Sequence, residues 1–220
     1  MTRILIADDH AIVRSGLRQI LINEHDLEVA GEAQNGAEVL DLIRREPWDV
    51  LVLDVGMPGR SGIGTLRDVK RERSDLPVLI LSIYPEDQYA VRAIRAGASG
   101  YLTKDSAPDE LVRAIRKVLR GGKYISEAVA ERLILALDDA ADLPPHELLS
   151  DREYQVLCLI ASGKTVSEIA SEISLSVKTV STYRTRILEK MRMKTNAELT
   201  HYAIKNNLTL DAPQINSFPG

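Results

Sequence analysis

The chain has 220 residues, 45% of them hydrophobic and 27% charged, a globular composition with room for one large or two ordinary domains; two are expected. A single cysteine, Cys158, excludes an intramolecular disulfide framework, and no apolar run approaches the roughly 20 residues that span a bilayer. The net charge of −4 hides an asymmetry: residues 150–205 carry 9 basic against 6 acidic side chains, so only the C-terminal part leans toward a polyanion partner.

Residues 1–6 run into an aspartate pair too soon for a signal peptide, and a soluble, cytoplasmic protein without a membrane partner is expected. An apolar run at 3–8 is followed by Ile12, Val13, Leu17, Ile20 and Leu21 at helical spacing. The same strand-then-helix pattern recurs, with strands at 27–33, 50–54, 78–82 and 99–103 and helices at 37–45, 63–73, 86–96 and 108–120. Five such units in about 120 residues predict an α/β flavodoxin-like fold, a five-stranded parallel sheet of order 2-1-3-4-5. Residues 27–33 partly alternate apolar and polar, as an edge strand does; the continuous runs at 4–7, 50–53 and 78–81 suit central strands.

After Gly121-Gly122 the pattern breaks. Residues 127–137 predict one amphipathic helix, and 138–145 are acidic and proline-containing, as a linker is. Beyond it lie four short helices forming an all-α unit. Ser150, Thr165 and Thr195 each precede a Glu by three residues, the capping box that satisfies orphan N–H groups at a helix start. A break at 173–176 between the second and third helices predicts a helix-turn-helix. The expected domains are 1–121, a linker with one helix at 122–148, the helix-turn-helix domain at 149–208, and a flexible tail at 209–220.

The carboxylate Asp54 closes an otherwise apolar strand, a costly place for a charge without partners. In an open parallel sheet, sites form beyond the carboxyl ends of the strands. Asp8 and Asp9 close strand 1, so three carboxylates converge on one crevice and call for a cation; hard oxygen ligands favour Mg²⁺. Ser82 ends strand 4 and Lys104 follows strand 5. A metal, a hydroxyl and an ammonium around a carboxylate suit a transferred phosphoryl group with Asp54 as its nucleophile. Each group alone has a plainer reading: Asp8 or Asp9 as a helix cap, Lys104 as a solvated lysine, His10 as a first-turn residue with no chemical role. Their joint placement at successive strand ends is what carries the argument.

On the third of the four helices, Val177, Val180, Ile187 and Met191 form an apolar stripe opposite Lys178, Ser181, Thr182, Thr185 and Glu189, flanked by Arg184 and Arg186. A polar face behind a capped helix and tight turn suits the major groove, where short polar side chains meet base edges and Arg or Lys meet phosphates. Lys178, Thr179, Ser181, Thr182, Arg184, Thr185 and Arg186 are the candidate DNA contacts.

Through Ala7-Asp8-Asp9-His10, residues 53–59 (LDVGMPG), Leu81-Ser82 and residues 97–104 (GASGYLTK), the first 121 residues resemble the receiver domain of bacterial two-component response regulators. The resemblance implies that Asp54 accepts a phosphoryl group from a phosphohistidine on a sensor histidine kinase. It implies that Asp9, Asp54 and the Gly56 carbonyl bind Mg²⁺ directly and Asp8 largely through water. Ser82 and Tyr101 match the family's switch pair, whose hydroxyl moves toward the phosphoryl group as the aromatic ring swings inward. Gly64 departs from the pattern, since that helix usually carries a side chain there, and is expected to loosen the helix start. Residues 149–207 resemble the LuxR-type helix-turn-helix of NarL/FixJ-class regulators, through residues 149–153, 159–164, 168–170 and 175–184. Ser181 and Tyr183 stand where many members carry Lys and His, so no target sequence carries over.

Together these imply a transcriptional regulator switched by phosphorylation, acting on double-stranded DNA as a homodimer when active, with the last helix as dimerisation element and RNA polymerase as a candidate partner. It would be no enzyme beyond phosphoryl transfer to its own Asp54 and slow autodephosphorylation. Two rivals remain: a phosphorylation-independent regulator with a degenerate receiver, and a phosphohydrolase working through an aspartyl phosphate, which would want an acid or base where Gly56 stands.

Overall fold

The computed structural model describes every residue except 58–60, 107, 139–143, 207 and 210–220, and the side chains of 87, 88 and 135–138 are likewise outside its description. Pro58 and Gly59, most of the acidic linker stretch and nearly all of the expected tail therefore lie outside the described residues. The repeating apolar runs resolve into β1 (Thr2–Ala7), β2 (Leu27–Ala33), β3 (Val50–Asp54), β4 (Val78–Ser82) and β5 (Gly100–Thr103). Between and after them come α1 (Ala11–Leu21), α2 (Gly36–Arg45), α3 (Gly62–Glu72), α4 (Glu86–Arg95) and α5 (Pro108–Leu119).

All four strand pairings are parallel and the order is β2-β1-β3-β4-β5, as the sequence pattern predicts. β3 and β4 are buried along their whole length, which is why their sequences are unbroken apolar runs; β2, at one edge, leaves Glu28 exposed. Ile4, Ile6, Val50, Val52, Leu79 and Leu81 form the sheet side of a core closed by Leu17 and Leu21 of α1 and by Leu111, Ile115 and Val118 of α5. Each such side chain contributes about 1.5–3 kcal/mol on burial. Parallel pairing sets the carboxyl ends of β1, β3, β4 and β5 along one rim.

α6 (Glu127–Asp138) was expected within a linker, but it packs against α4. The cause lies at the other sheet edge. β5 has an unpaired side whose polar groups need partners, and Tyr124 supplies them: Tyr101 N–H donates to the Tyr124 carbonyl at 2.9 Å and Tyr124 N–H donates to the Ser99 carbonyl at 3.0 Å. Gly100 allows this close approach, since a Cβ there would stand 2.8 Å from Tyr124 Cβ. The chain's two compact units part between Asp138 and Asp139.

The second unit begins with a 3₁₀ turn (Pro145–Leu148), whose His146 ring nitrogen meets the Tyr202 hydroxyl at 2.8 Å, and continues as α7 (Asp151–Ala161), α8 (Val166–Glu172), α9 (Val177–Lys190) and α10 (Asn196–Lys205). Ser150 with Glu153 and Thr165 with Glu168 form complete capping boxes. At Thr195 the hydroxyl accepts from Glu198 N–H, but the Glu198 carboxylate reaches one residue further back, to Lys194 N–H. The α8–α9 turn passes through Ser174 at φ 52°, closed by Leu175 N–H donating to the Ala170 carbonyl. On α9, Val180, Ile187 and Met191 are buried as expected, but Val177 is 51% exposed, because it sits in the first turn where the stripe runs past the neighbouring helices. Among the described residues, no helix is long and apolar enough to cross a membrane.

Candidate functional site

Asp54 is delivered to the rim by β3 and is buried. Lys104, just past β5, places its ammonium 2.8 Å from Asp54 Oδ2 and 2.6 Å from Asp8 Oδ2, so one cation bridges two buried carboxylates. The other Asp54 oxygen accepts Gly56 N–H at 2.9 Å. Burial pushes the Asp54 carboxyl above its ordinary value, an effect that the Lys104 ion pair and the Gly56 amide only partly offset. Burial alone would lower Lys104, but the Asp54 and Asp8 carboxylates outweigh it and hold the ammonium above its usual value.

Asp8, Asp9, His10 and Asp54 each offer a ligand atom, all within 4.8 Å of one another. The residues fit a hard divalent cation: three are carboxylates, and Asp9 Oδ1 is buried yet accepts no hydrogen bond. A Cβ on Gly56 would stand 3.2 Å from Asp54 Oδ2, so glycine keeps that side of the carboxylate open. Neither Asp8 nor Asp9 caps α1, whose N-cap is His10 with no side-chain cap. Instead Asp8 Oδ1 accepts His10 N–H at 2.8 Å.

Ser82 and Tyr101 lie side by side behind the acidic pocket. Ser82 Oγ accepts Tyr84 N–H at 3.0 Å, and the Ser82 carbonyl accepts the backbone N–H of Lys104 at 2.8 Å. The Tyr101 ring is 1% exposed and its hydroxyl donates to the Tyr84 carbonyl at 2.8 Å. Burial raises the phenol far above its ordinary value, the nearby Ser82 hydroxyl offsetting little of it. The Tyr84 ring stacks on Tyr89 of α4 with centroids 4.5 Å apart, so both residues of the pair reach α4 through one loop. Ser61 caps α3 by accepting Gly64 N–H at 3.0 Å, which secures the helix start that a glycine at 64 was expected to loosen.

His10, expected in the first helical turn with no chemical role, is instead the N-cap of α1, and Arg14 carried no assigned role in the sequence. His10 Nδ1 stands 3.0 Å from Asp9 Oδ1 and 3.3 Å from Asp8 Oδ1. Arg14 is buried, donating to the Asp8 carbonyl at 2.8 Å and to Glu32 at 3.0 Å, which fixes the backbone that carries the aspartate pair. Arg14 shares a helical face with Leu17 and Leu21, and a charge on an apolar face was the signal available.

In the second unit, Lys178, Ser181, Thr182, Thr185 and Arg186 are exposed on α9 and Thr179 and Arg184 are half-buried. Thr182 and Thr185 donate their hydroxyls to the carbonyls four residues back, at 2.9 and 3.1 Å, leaving methyls and oxygen lone pairs outward. The Thr179 hydroxyl is engaged with Ser176 at 2.7 Å in the helix cap. Arg184 reaches across to the first residue of α10, its Nε donating to Asn196 Oδ1 at 2.6 Å.

Residues 4–116 match the model of the response regulator receiver domain, and residues 147–203 match that of the bacterial regulatory proteins of the luxR family. The response regulator UvrY of Escherichia coli is 36% identical over 94% of this chain and 96% of its own. The response regulator GacA of Pseudomonas aeruginosa is 37% identical over 94% and 98%. RcsB from Salmonella enterica serovar Typhimurium, solved bound to promoter rprA with phosphomimetic BeF3−, superimposes with a TM-score of 0.60 at 26% identity over 92% of this chain and 98% of that one. With both halves matched in this order, the chain belongs to the NarL/FixJ-class response regulators, DNA-binding transcriptional regulators in which a receiver domain precedes a LuxR-type helix-turn-helix.

Proposed function

We propose that this regulator is switched by phosphorylation of Asp54 from a phosphohistidine on a sensor histidine kinase. The observation that carries the reading is the bridge from Lys104 to Asp54 and Asp8 inside an acidic rim. An Asp54 carboxylate oxygen attacks phosphorus, the P–N bond to the kinase imidazole breaks, and its electron pair stays on the ring nitrogen. Lys104 then pairs with a phosphoryl oxygen, and the Ser82 hydroxyl, whose oxygen accepts the Tyr84 amide, turns its O–H to donate to another. Asp9, Asp54 and the Gly56 carbonyl would hold Mg²⁺, with Asp8 acting through water, and the ion would neutralise charge on the phosphoryl oxygens. With glycine at 56 there is no acid or base two residues past the nucleophile, which favours an acyl phosphate lost slowly by autodephosphorylation over a turning-over phosphohydrolase.

At the output end, α9 enters the major groove, with Ser181, Thr182 and Thr185 facing bases, Thr179 at the helix start, and Lys178, Arg184 and Arg186 near phosphates. Two copies paired in part through α10 read a two-fold site in the cytoplasm, where RNA polymerase is a candidate further partner. Beryllofluoride with Mg²⁺ should raise the melting temperature of the first unit in the wild type and not in Asp54→Asn. An equal shift in both rejects Asp54 as acceptor.

A further inference from the structure

Contacts on Tyr124 converge around the switch residue. Its backbone pairs with Tyr101 and Ser99 on the edge of β5, its phenol donates to Glu110 Oε1 of α5 at 3.1 Å, and the Lys117 ammonium lies 5.6 Å from its ring centre. Two residues later Ser126 N–H donates to Glu86 Oε1 in the first turn of α4 at 2.9 Å, and Val129 of α6 is buried. The strap of residues 123–129 is thus tied to α4, β5 and α5, the three elements that surround Tyr101. Beneath it lies a cavity of about 300 Å³ whose lining includes Glu86, Tyr101, Glu110, Tyr124 and Ser126. At roughly 30 Å³ of liquid volume per water, that space is ample for a phenol ring.

We infer that Tyr124 is a positioning residue for Tyr101, and that the strap carries the state of that switch into α6, the segment leading to the second unit. The inference rests on Asp54 being the phosphoryl acceptor. With the Tyr101 ring buried, the edge of β5 is free to pair with the strap. A ring swung outward enters the cavity, meets Tyr124 and Ser126, and loosens the pairing. The same strap occupies the α4–β5–α5 face, so any other occupant must displace it.

Hydrogen exchange of the full-length protein, read in peptides covering residues 122–131, tests this with beryllofluoride and Mg²⁺ as the probe. Exchange at the Tyr124 and Ser126 amides should slow several-fold on addition. Tyr101→Ala should lose that slowing while keeping the melting shift. Glu86→Ala should speed exchange in the strap without the probe, again keeping the melting shift, and Tyr124→Phe, which keeps the backbone pairing, should respond as the wild type does. A melting shift with unchanged strap exchange, or equal slowing in Tyr101→Ala, overturns the coupling alone. No melting shift in the wild type overturns the acceptor reading and this inference with it.

Discussion

Lys104 and Asp54 meet at 2.8 Å as a buried ion pair whose carboxylate is nevertheless pushed toward its neutral form by burial. The folded value of Asp54 lies above its ordinary 3.8, so the stability the neutral acid contributes is fully present below that value and is lost as pH rises through the folded one. Asp54→Asn removes the loss. In metal-free buffer its melting temperature should therefore gain on the wild type as pH rises above the ordinary 3.8, and excess Mg²⁺ should narrow the gap. A gap independent of pH would show that the burial of this charge is not what costs stability.

Glu153 gives the opposite slope. Burial would raise its carboxyl, but Lys190, 2.6 Å away, and the Ser150 bonds outweigh that and hold it below the ordinary 4.5. Its contribution is present above 4.5 and lost as pH falls through the lower folded value. Glu153→Gln should flatten the acid side of the helical unfolding curve and lower stability at neutral pH. Because Trp48, the only tryptophan, lies in the first unit, fluorescence should be unaffected while circular dichroism reports the change. Parallel changes in both signals would place the effect elsewhere.

Ser174 holds a left-handed backbone without being glycine. That conformation costs a side-chain-bearing residue about 1–2 kcal/mol, and glycine's extra unfolded entropy returns part of it. Ser174→Gly is expected to stabilise the second unit by about 0.5–1 kcal/mol, measured by urea denaturation. A destabilised variant would mean that the Ser174 side chain contributes more than its backbone costs.

On α9, Lys178→Ala should weaken binding on all sequences alike and reduce the salt slope by about 0.9, as loss of one phosphate contact does. Thr182→Ala should weaken the specific site more than random DNA. Arg184→Ala should also cost about 1 kcal/mol of stability through its bond to Asn196. Equal losses on every DNA for Lys178→Ala and Thr182→Ala would remove this face as the reader.

The parallel sheet and the positions of Asp8, Asp9, Asp54, Ser82 and Lys104 were legible because five apolar runs alternate with helical stripes and a parallel sheet brings the ends of β1, β3, β4 and β5 to one rim. The docking of residues 123–129 was not, because an edge strand is satisfied largely by backbone hydrogen bonds, which impose little side-chain pattern. Val177 departs from its stripe for a related reason: periodicity reports which face it shares, not how far the neighbouring helices extend along that face. The His10 ring meets Asp8 and Asp9, its neighbours in sequence, and only its approach to Asp54 depends on the pairing of β1 with β3.

The helix caps carry a kinetic consequence. α7, α8, α9 and α10 each start on a hydroxyl three residues before the amide it accepts, so their boundaries are written in contacts local to the sequence. α1 and α4 have no side-chain cap, and the sheet they flank must pair strands such as Ile4 with Val50, far apart along the chain. Local contacts form fast and long loops close slowly. On dilution from denaturant, the helical second unit should regain its helices well before Trp48 fluorescence recovers, so the order of refolding should run opposite to the order in which the two units are synthesised.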